Sequence, residues 1–149
     1  MNGTWYVGGM LLMSLTVPRA VVAGDVAKVV WHSNVQDAWK VTREQDRPLL
    51  IFVTRGNCQY CTQMKDRTYR DATVAGAINQ SFVPLVLDGG GNSPLLKELN
   101  VTAYPCTFVV SPQAVILDRI DGYMAPAVLS GRLNALRPAL PVAKVPEDP

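Results

Sequence analysis

The sequence predicts one α/β domain, a central mixed β-sheet flanked by helices, and three observations carry that expectation. Leu49-Leu50-Ile51-Phe52-Val53 is an unbroken apolar stretch, the pattern of a strand buried on both faces. Phe82 to Leu87 is a second apolar strand that follows an intervening helical segment, and strand, helix and strand in that order imply parallel pairing. Thr107 to Val110 and Val115 to Ile120 are further strands, separated only by Ser111-Pro112-Gln113, and form a hairpin.

Length and composition agree with a single core. The chain has 149 residues and is 48% hydrophobic, enough to fill one domain. Fourteen basic residues against 12 acidic ones give a net charge of +2, too little for an electrostatic footprint on nucleic acid or anionic lipid. A polyanionic partner is therefore not expected. No internal repeat is present.

The elements can be taken in chain order. The first 23 residues hold one base, Arg19, and no acid, and Trp5 to Val17 is a nearly continuous apolar run ending at Pro18. The run is short beside the roughly 20 residues of a membrane span and fits the apolar segment of a secretory signal. Val21-Val22-Ala23 before Gly24 offers a cleavage site after Ala23. The expectation is thus a signal peptide over 1–23, a domain over 24–137, and a location in the periplasm or outside the cell. Because Arg19 follows the apolar run and no Lys or Arg precedes it, retention as an N-terminal membrane anchor stays open.

Val35, Ala38, Trp39 and Thr42 repeat at helical spacing behind Ser33 or Asn34 as a cap, so a first helix lies within Trp31 to Asp46. Arg47-Pro48 breaks it before the first strand. Thr54 to Asn57 then turns the chain, and Cys58 to about Arg67, free of Pro and Gly, reads as a helix. Asp71 caps a further helix through Ala72, Val74, Ala75, Ala77 and Ile78. Gly89-Gly90-Gly91-Asn92-Ser93-Pro94 reads as a flexible loop, without the Lys-Ser/Thr ending of a phosphate-binding loop. Leu95 to Leu99 is a short helix and Ala125 to Leu136 a closing one. The proline-rich residues 138–149 read as a disordered tail.

The chemistry sits at Cys58-Gln59-Tyr60-Cys61. Opening a helix, this spacing brings two thiols within bridging distance, with the first at the positive helix end, which favours thiolate over thiol. In that chemistry Cys58, expected to be the exposed member, would attack a substrate disulfide, and Cys61, expected to be more buried, would resolve the mixed disulfide by attacking Cys58. A structural disulfide, two unrelated core cysteines or half of a zinc site would share the spacing. Zinc wants four ligands, whereas the chain offers three cysteines and the single His32, which has no nearby Cys-x-x-Cys partner. His32 reads as a surface or capping residue. Trp31, Trp39, Met64 and Tyr69 read as core filling rather than a binding stripe.

Pro48-Leu-Leu-Ile-Phe-Val, Cys58-Gln-Tyr-Cys61, Met64, Asp71-Ala-Thr-Val, Phe82-Val83 to Asp88, Val101-Thr-Ala-Tyr-Pro105, Phe108 and Gly122-Tyr123 together resemble the thioredoxin family over roughly Trp31 to Leu136. Within it the chain is similar to exported bacterial thioredoxin-like domains. The resemblance implies a thioredoxin-like fold, Cys58 as nucleophile and Cys61 as resolving thiol. It also implies a cis Pro105 shaping the substrate groove and Tyr104 offering backbone hydrogen bonds to a bound peptide, with Gln59 and Tyr60 as further substrate contacts. It calls for no cofactor or metal. Protein thiols and disulfides are the implied partners, and outside the cytoplasm a membrane protein must supply or accept the electrons.

Four features depart from the family pattern. Asn57 stands where a tryptophan usually precedes the nucleophile, so substrate contacts should differ. Phe52 occupies the strand position of a buried acid, so resolution is expected to be slower or to use water. Gln59-Tyr60 replaces Gly-Pro and is closer to periplasmic disulfide isomerases than to reductants. Cys106 follows the cis-proline position, where threonine is usual. A lone cysteine most often serves as a small buried hydrophobe; alternatively Cys106 joins the pair in a redox relay, a partner disulfide or a soft-metal site.

The sequence therefore leads to an extracytoplasmic thiol-disulfide oxidoreductase. Two alternatives stand beside it: a redox-inactive binding or scaffold module with a fixed disulfide, and a copper or other soft-metal carrier using Cys58, Cys61 and Cys106.

Overall fold

The computed structural model describes residues 28–136 apart from Asn92; the expected signal segment and tail lie outside the described residues. Helix α1 (Val35–Gln45) is followed by β1 (Leu49–Thr54), α2 (Gln59–Gln63), α3 (Ala72–Ser81) and β2 (Val83–Asp88). Then come α4 (Pro94–Glu98), β3 (Cys106–Val110), β4 (Ile116–Asp121) and α5 (Pro126–Leu136). The strands form one sheet in the order β2-β1-β3-β4, parallel between β1 and β2 and antiparallel elsewhere. The mixed sheet is as expected.

Every residue of β1 is buried, and the alternation of its side chains explains why. Leu49, Ile51 and Val53 belong to one core cluster with Ala38, Leu85, Leu96 and Phe108, under α1 and α4. Leu50 and Phe52 belong to the other, with Met64, Ile78, Val109 and Leu129, under α3, α5 and the end of α2. A strand with both faces covered must be apolar throughout, and each such side chain contributes roughly 1.5 to 3 kcal/mol by leaving water. Changing Ile51 to a charged residue would break this layer.

The helix starts follow their caps. Asn34 Oδ1 accepts the Asp37 N–H at 3.1 Å, so Asn34, and neither Ser33 nor His32, caps α1. Asp71 Oδ1 accepts the N–H groups of Thr73 and Val74 at 2.9 and 3.1 Å, satisfying two of the donors that a helix start leaves unpaired. Pro94 opens α4, where its missing N–H costs nothing.

Two features differ from expectation. The helix expected over Cys58 to Arg67 is regular only to Gln63 and continues as a π turn over Met64–Thr68, closed by the Tyr69 N–H on the Met64 carbonyl at 2.9 Å. The extra residue in that turn lets both Thr68 and Tyr69 face the interior, where the Tyr69 ring packs against Phe52 and Trp31 with centroids 4.8 and 4.9 Å away. The second is the segment before α1, which runs along the outer edge of β2. His32 forms a parallel bridge with Leu85, donating its N–H to Pro84 O and accepting that of Val86 at 2.8 and 2.9 Å.

Candidate active site

Strand β1 delivers the chain to a tight turn at its carboxyl end. Asn57 takes a left-handed backbone conformation, φ 53°, one that asparagine tolerates better than most residues. The turn places Cys58 as the N-cap of α2, and its Sγ accepts the Cys61 N–H at 3.2 Å. Cys58 and Cys61 are joined as a disulfide, with Cα atoms 5.2 Å apart. Cys58 is half-buried and Cys61 buried. Cys58 thus lies toward solvent and Cys61 toward the core.

Cys58 lines an open groove of about 710 Å³ that also includes Arg55, Asn57, Gln59, Tyr60 and Tyr104. The other wall is the loop entering β3, where the Tyr104-Pro105 peptide is cis and Pro105 is buried. Gln59 and Tyr60 are exposed at the groove. Tyr60, with 58% of its surface accessible, lies 6.5 Å from the Tyr123 ring. Four of the residues read from sequence, Cys58, Gln59, Tyr60 and Tyr104, therefore meet in one groove.

Three groove features were not read from sequence. The Arg55 guanidinium lies over the Tyr104 ring, 5.6 Å from its centroid. Asp88, at the end of β2, lines the groove and holds the Gly90 N–H on Oδ1 at 2.9 Å. Gly89, expected in a flexible loop, is held at both ends: its N–H donates to Thr54 O, and its carbonyl accepts the Tyr104 hydroxyl at 3.2 Å. A Cβ there would lie 2.1 Å from Tyr104 Cε1, so only glycine lets the Tyr104 ring close on this loop. The Gly run itself was the available signal; its partner was not visible.

Cys106 opens β3, one residue past the cis proline, and is free. It is fully buried in the cluster under α1 and α4, on the opposite side of the sheet from Met64 and Tyr69, the core residues that follow Cys61. Its Sγ donates to Asp121 Oδ1 at 3.0 Å, across the β3–β4 register. Burial, and the hydrogen bond to the Asp121 carboxylate, push the thiol up from 9.0 to about 12, so it carries its proton at neutral pH. Among the described residues no group of three or more His, Cys, Asp and Glu side chains could hold a metal ion.

Asp121 belongs to a wider clamp. Arg119 Nε donates to its Oδ2 at 2.9 Å, while Arg119 Nη1 and Nη2 reach the carbonyls of Leu99 and Asn100 at 3.0 and 3.2 Å. Arg119 thereby ties the end of α4, and the loop that leads to Tyr104-Pro105, to the β3–β4 hairpin. Its hydrogen bond to Arg119 and that from Cys106 hold the Asp121 carboxyl below its usual range.

A family model described as a thioredoxin-like domain matches residues 35–137. The chain belongs to the thioredoxin-like family. Solved structures with the same fold include a thioredoxin from Thermus thermophilus, at 18% identity and TM-score 0.67, covering 74% of this chain and 88% of that one. A protein described as DsbH oxidoreductase matches at 20% identity and TM-score 0.63, over 88% of this chain and 95% of its own. The C-terminal domain of Neisseria meningitidis DsbD, in its oxidised form, matches at 19% identity and TM-score 0.60, over 71% and 98%. No curated protein matches the sequence. The chain thus combines a thioredoxin-like fold with a cysteine pair at bonding distance.

Proposed function

We propose that this thioredoxin-like protein is an extracytoplasmic thiol-disulfide oxidoreductase acting on protein thiols and disulfides. The observation that carries the reading is the Cys58–Cys61 bond at the head of α2, with its half-buried sulfur opening on the groove beside Tyr104. In the reduced protein the Cys58 thiolate attacks one sulfur of a substrate disulfide, forming a mixed disulfide and releasing the first substrate thiolate. The Cys61 thiolate then attacks Cys58 Sγ, which restores the Cys58–Cys61 bond and releases the second substrate thiolate. Two electrons pass from protein to substrate, and the reverse sequence oxidises a dithiol.

The Cys61 N–H that meets Cys58 Sγ would equally stabilise a thiolate there. Phe52 is fully buried in the apolar cluster beside Tyr69, so this strand position offers no acid to move a proton, and Cys61 must exchange its proton through another route. Tyr104, Pro105, Gln59 and Tyr60 are the residues we assign to substrate binding. Export rests on the apolar run Trp5 to Val17 and the small residues before Gly24, and a membrane protein is the proposed electron donor or acceptor.

Equilibration of the full chain in graded glutathione buffers, with thiols trapped by a mass-tagged alkylator, tests the reading. A potential between about −270 and −120 mV, the span of exchange enzymes, with loss of exchange in Cys58→Ser, supports it; a value below about −300 mV marks a fixed structural disulfide. Export is tested separately by the mass of the secreted product, expected to begin at Gly24.

A further inference from the structure

Trp31 and Tyr69 entered the sequence reading only as core filling, yet together with Phe52 they leave a space that the core does not close. A cavity of about 400 Å³ lies between the segment before α1, the edge of the sheet and the π turn, on the face opposite α1. Val29, Trp31, Phe52, Tyr69 and Val86 form its apolar wall. Trp31 and Val86 are only half-buried, although Leu85 and Leu87 on either side of Val86 are buried. The charged residues of the lining are Lys28, Lys65 and Arg70, all cationic. Of these, Arg70 meets an acid, Asp66, at 3.6 Å, with both side chains more than half exposed, a pairing worth little in water.

We infer that this cavity is a binding site for a small amphipathic carboxylate, an aliphatic or aromatic body with one anionic head. The volume falls in the range of small-molecule sites, which are apolar and aromatic with a few polar groups fixing orientation. Trp31 and Tyr69, packed edge to face at 83°, present an aromatic corner to the body of the ligand. The cations of the lining select charge: an acidic head gains favourable partners, a cationic head meets like charge, and a neutral one gains neither. None of the lining residues is shared with the groove at Cys58, so the site is independent of the dithiol and of the exchange reading.

The experiment is a titration of the full chain with octanoate, followed through the indole N–H signal of Trp31, with that of Trp39 as internal reference. Octanol serves as the uncharged control, and Lys65→Glu/Arg70→Glu as the charge-reversed variant; both positions are exposed, so the fold is kept. The expected result is a saturable one-to-one shift at Trp31 with Trp39 unmoved, at least tenfold weaker with octanol and at least tenfold weaker in the variant. No saturation at millimolar octanoate, equal binding of octanol, or undiminished binding by the reversed variant overturns the inference.

Discussion

Replacing Gly89 with alanine tests whether the groove wall is built on a close approach of backbone to aromatic ring. The new Cβ would sit 2.1, 2.6 and 2.8 Å from Tyr104 Cε1, Cζ and Oη, far inside van der Waals contact, and Gly89 is not among the positive-φ glycines, so the cost is steric. The main chain at Gly89 is pinned to Thr54, which leaves the Tyr104 ring to move. The ring then gives up its hydrogen bond to Gly89 O, about 1 kcal/mol, and its contact with Arg55, about 0.5 to 1 kcal/mol at an exposed site. With some loss of ring burial, Gly89→Ala is expected to destabilise the protein by about 2 kcal/mol. Urea unfolding of Gly89→Ala, Tyr104→Ala and the double variant measures this as a cycle. Once the ring is gone the alanine should be nearly free, giving a coupling of about 1 to 2 kcal/mol, and Gly91→Ala, whose Cβ would have Asp88 O at 3.4 Å, should be close to neutral. A cycle with no coupling, or a Gly89→Ala protein as stable as the parent, would refute the account of the wall.

Asp71→Ala removes the acceptor for two helix-start donors and is expected to lower stability by about 1 kcal/mol, read as a shift of the urea midpoint. Met64→Ala, at a fully buried site that also accepts the Met124 N–H on sulfur, should cost about 2 to 5 kcal/mol; a loss under about 1 kcal/mol would mean that the π turn collapses into the space. The Cys106 thiol ionises near 9.0 when unfolded but only near about 12 in the fold, so above pH 9 the unfolded chain holds fewer protons. Stability is therefore full below pH 9 and falls as pH rises toward 12; the stability of Cys106→Ala, measured by urea unfolding, should fall less steeply over that window. At pH 8 a native-state alkylator should leave Cys106 unmodified, and rapid labelling would contradict its burial.

The parts of the fold legible in the sequence are those whose signals are local. The five apolar residues at Leu49 fit a doubly covered strand, Asp71 stood at a helix start, and the spacing of Cys58 and Cys61 placed two sulfurs within bridging distance. What escaped depends on pairs distant in the chain. Asp121 sits opposite Cys106 only because of the β3–β4 register, and neither residue carries a mark of the other. A run of three glycines reads as freedom until Tyr104, 15 residues on, is packed against the first of them. The π turn at Met64 is likewise invisible, since nothing in Met-Lys-Asp-Arg-Thr opposes an ordinary helix, and the demand for it comes from the place that Phe52 and Trp31 leave for Tyr69.

The pairing of His32 with Leu85 bears on how copies of this protein meet one another. An unpaired strand edge offers its N–H and C=O groups to any extended chain that approaches. At β2 the groups of Pro84 and Val86 are already engaged by His32, and at the far edge β4 carries Asp118, Arg119 and Asp121, with Arg132 of α5 locked on Asp118 at 2.6 Å. One border of the sheet is thus partly stitched by its own chain and the other carries charge, two devices that discourage an approaching strand from pairing edge to edge.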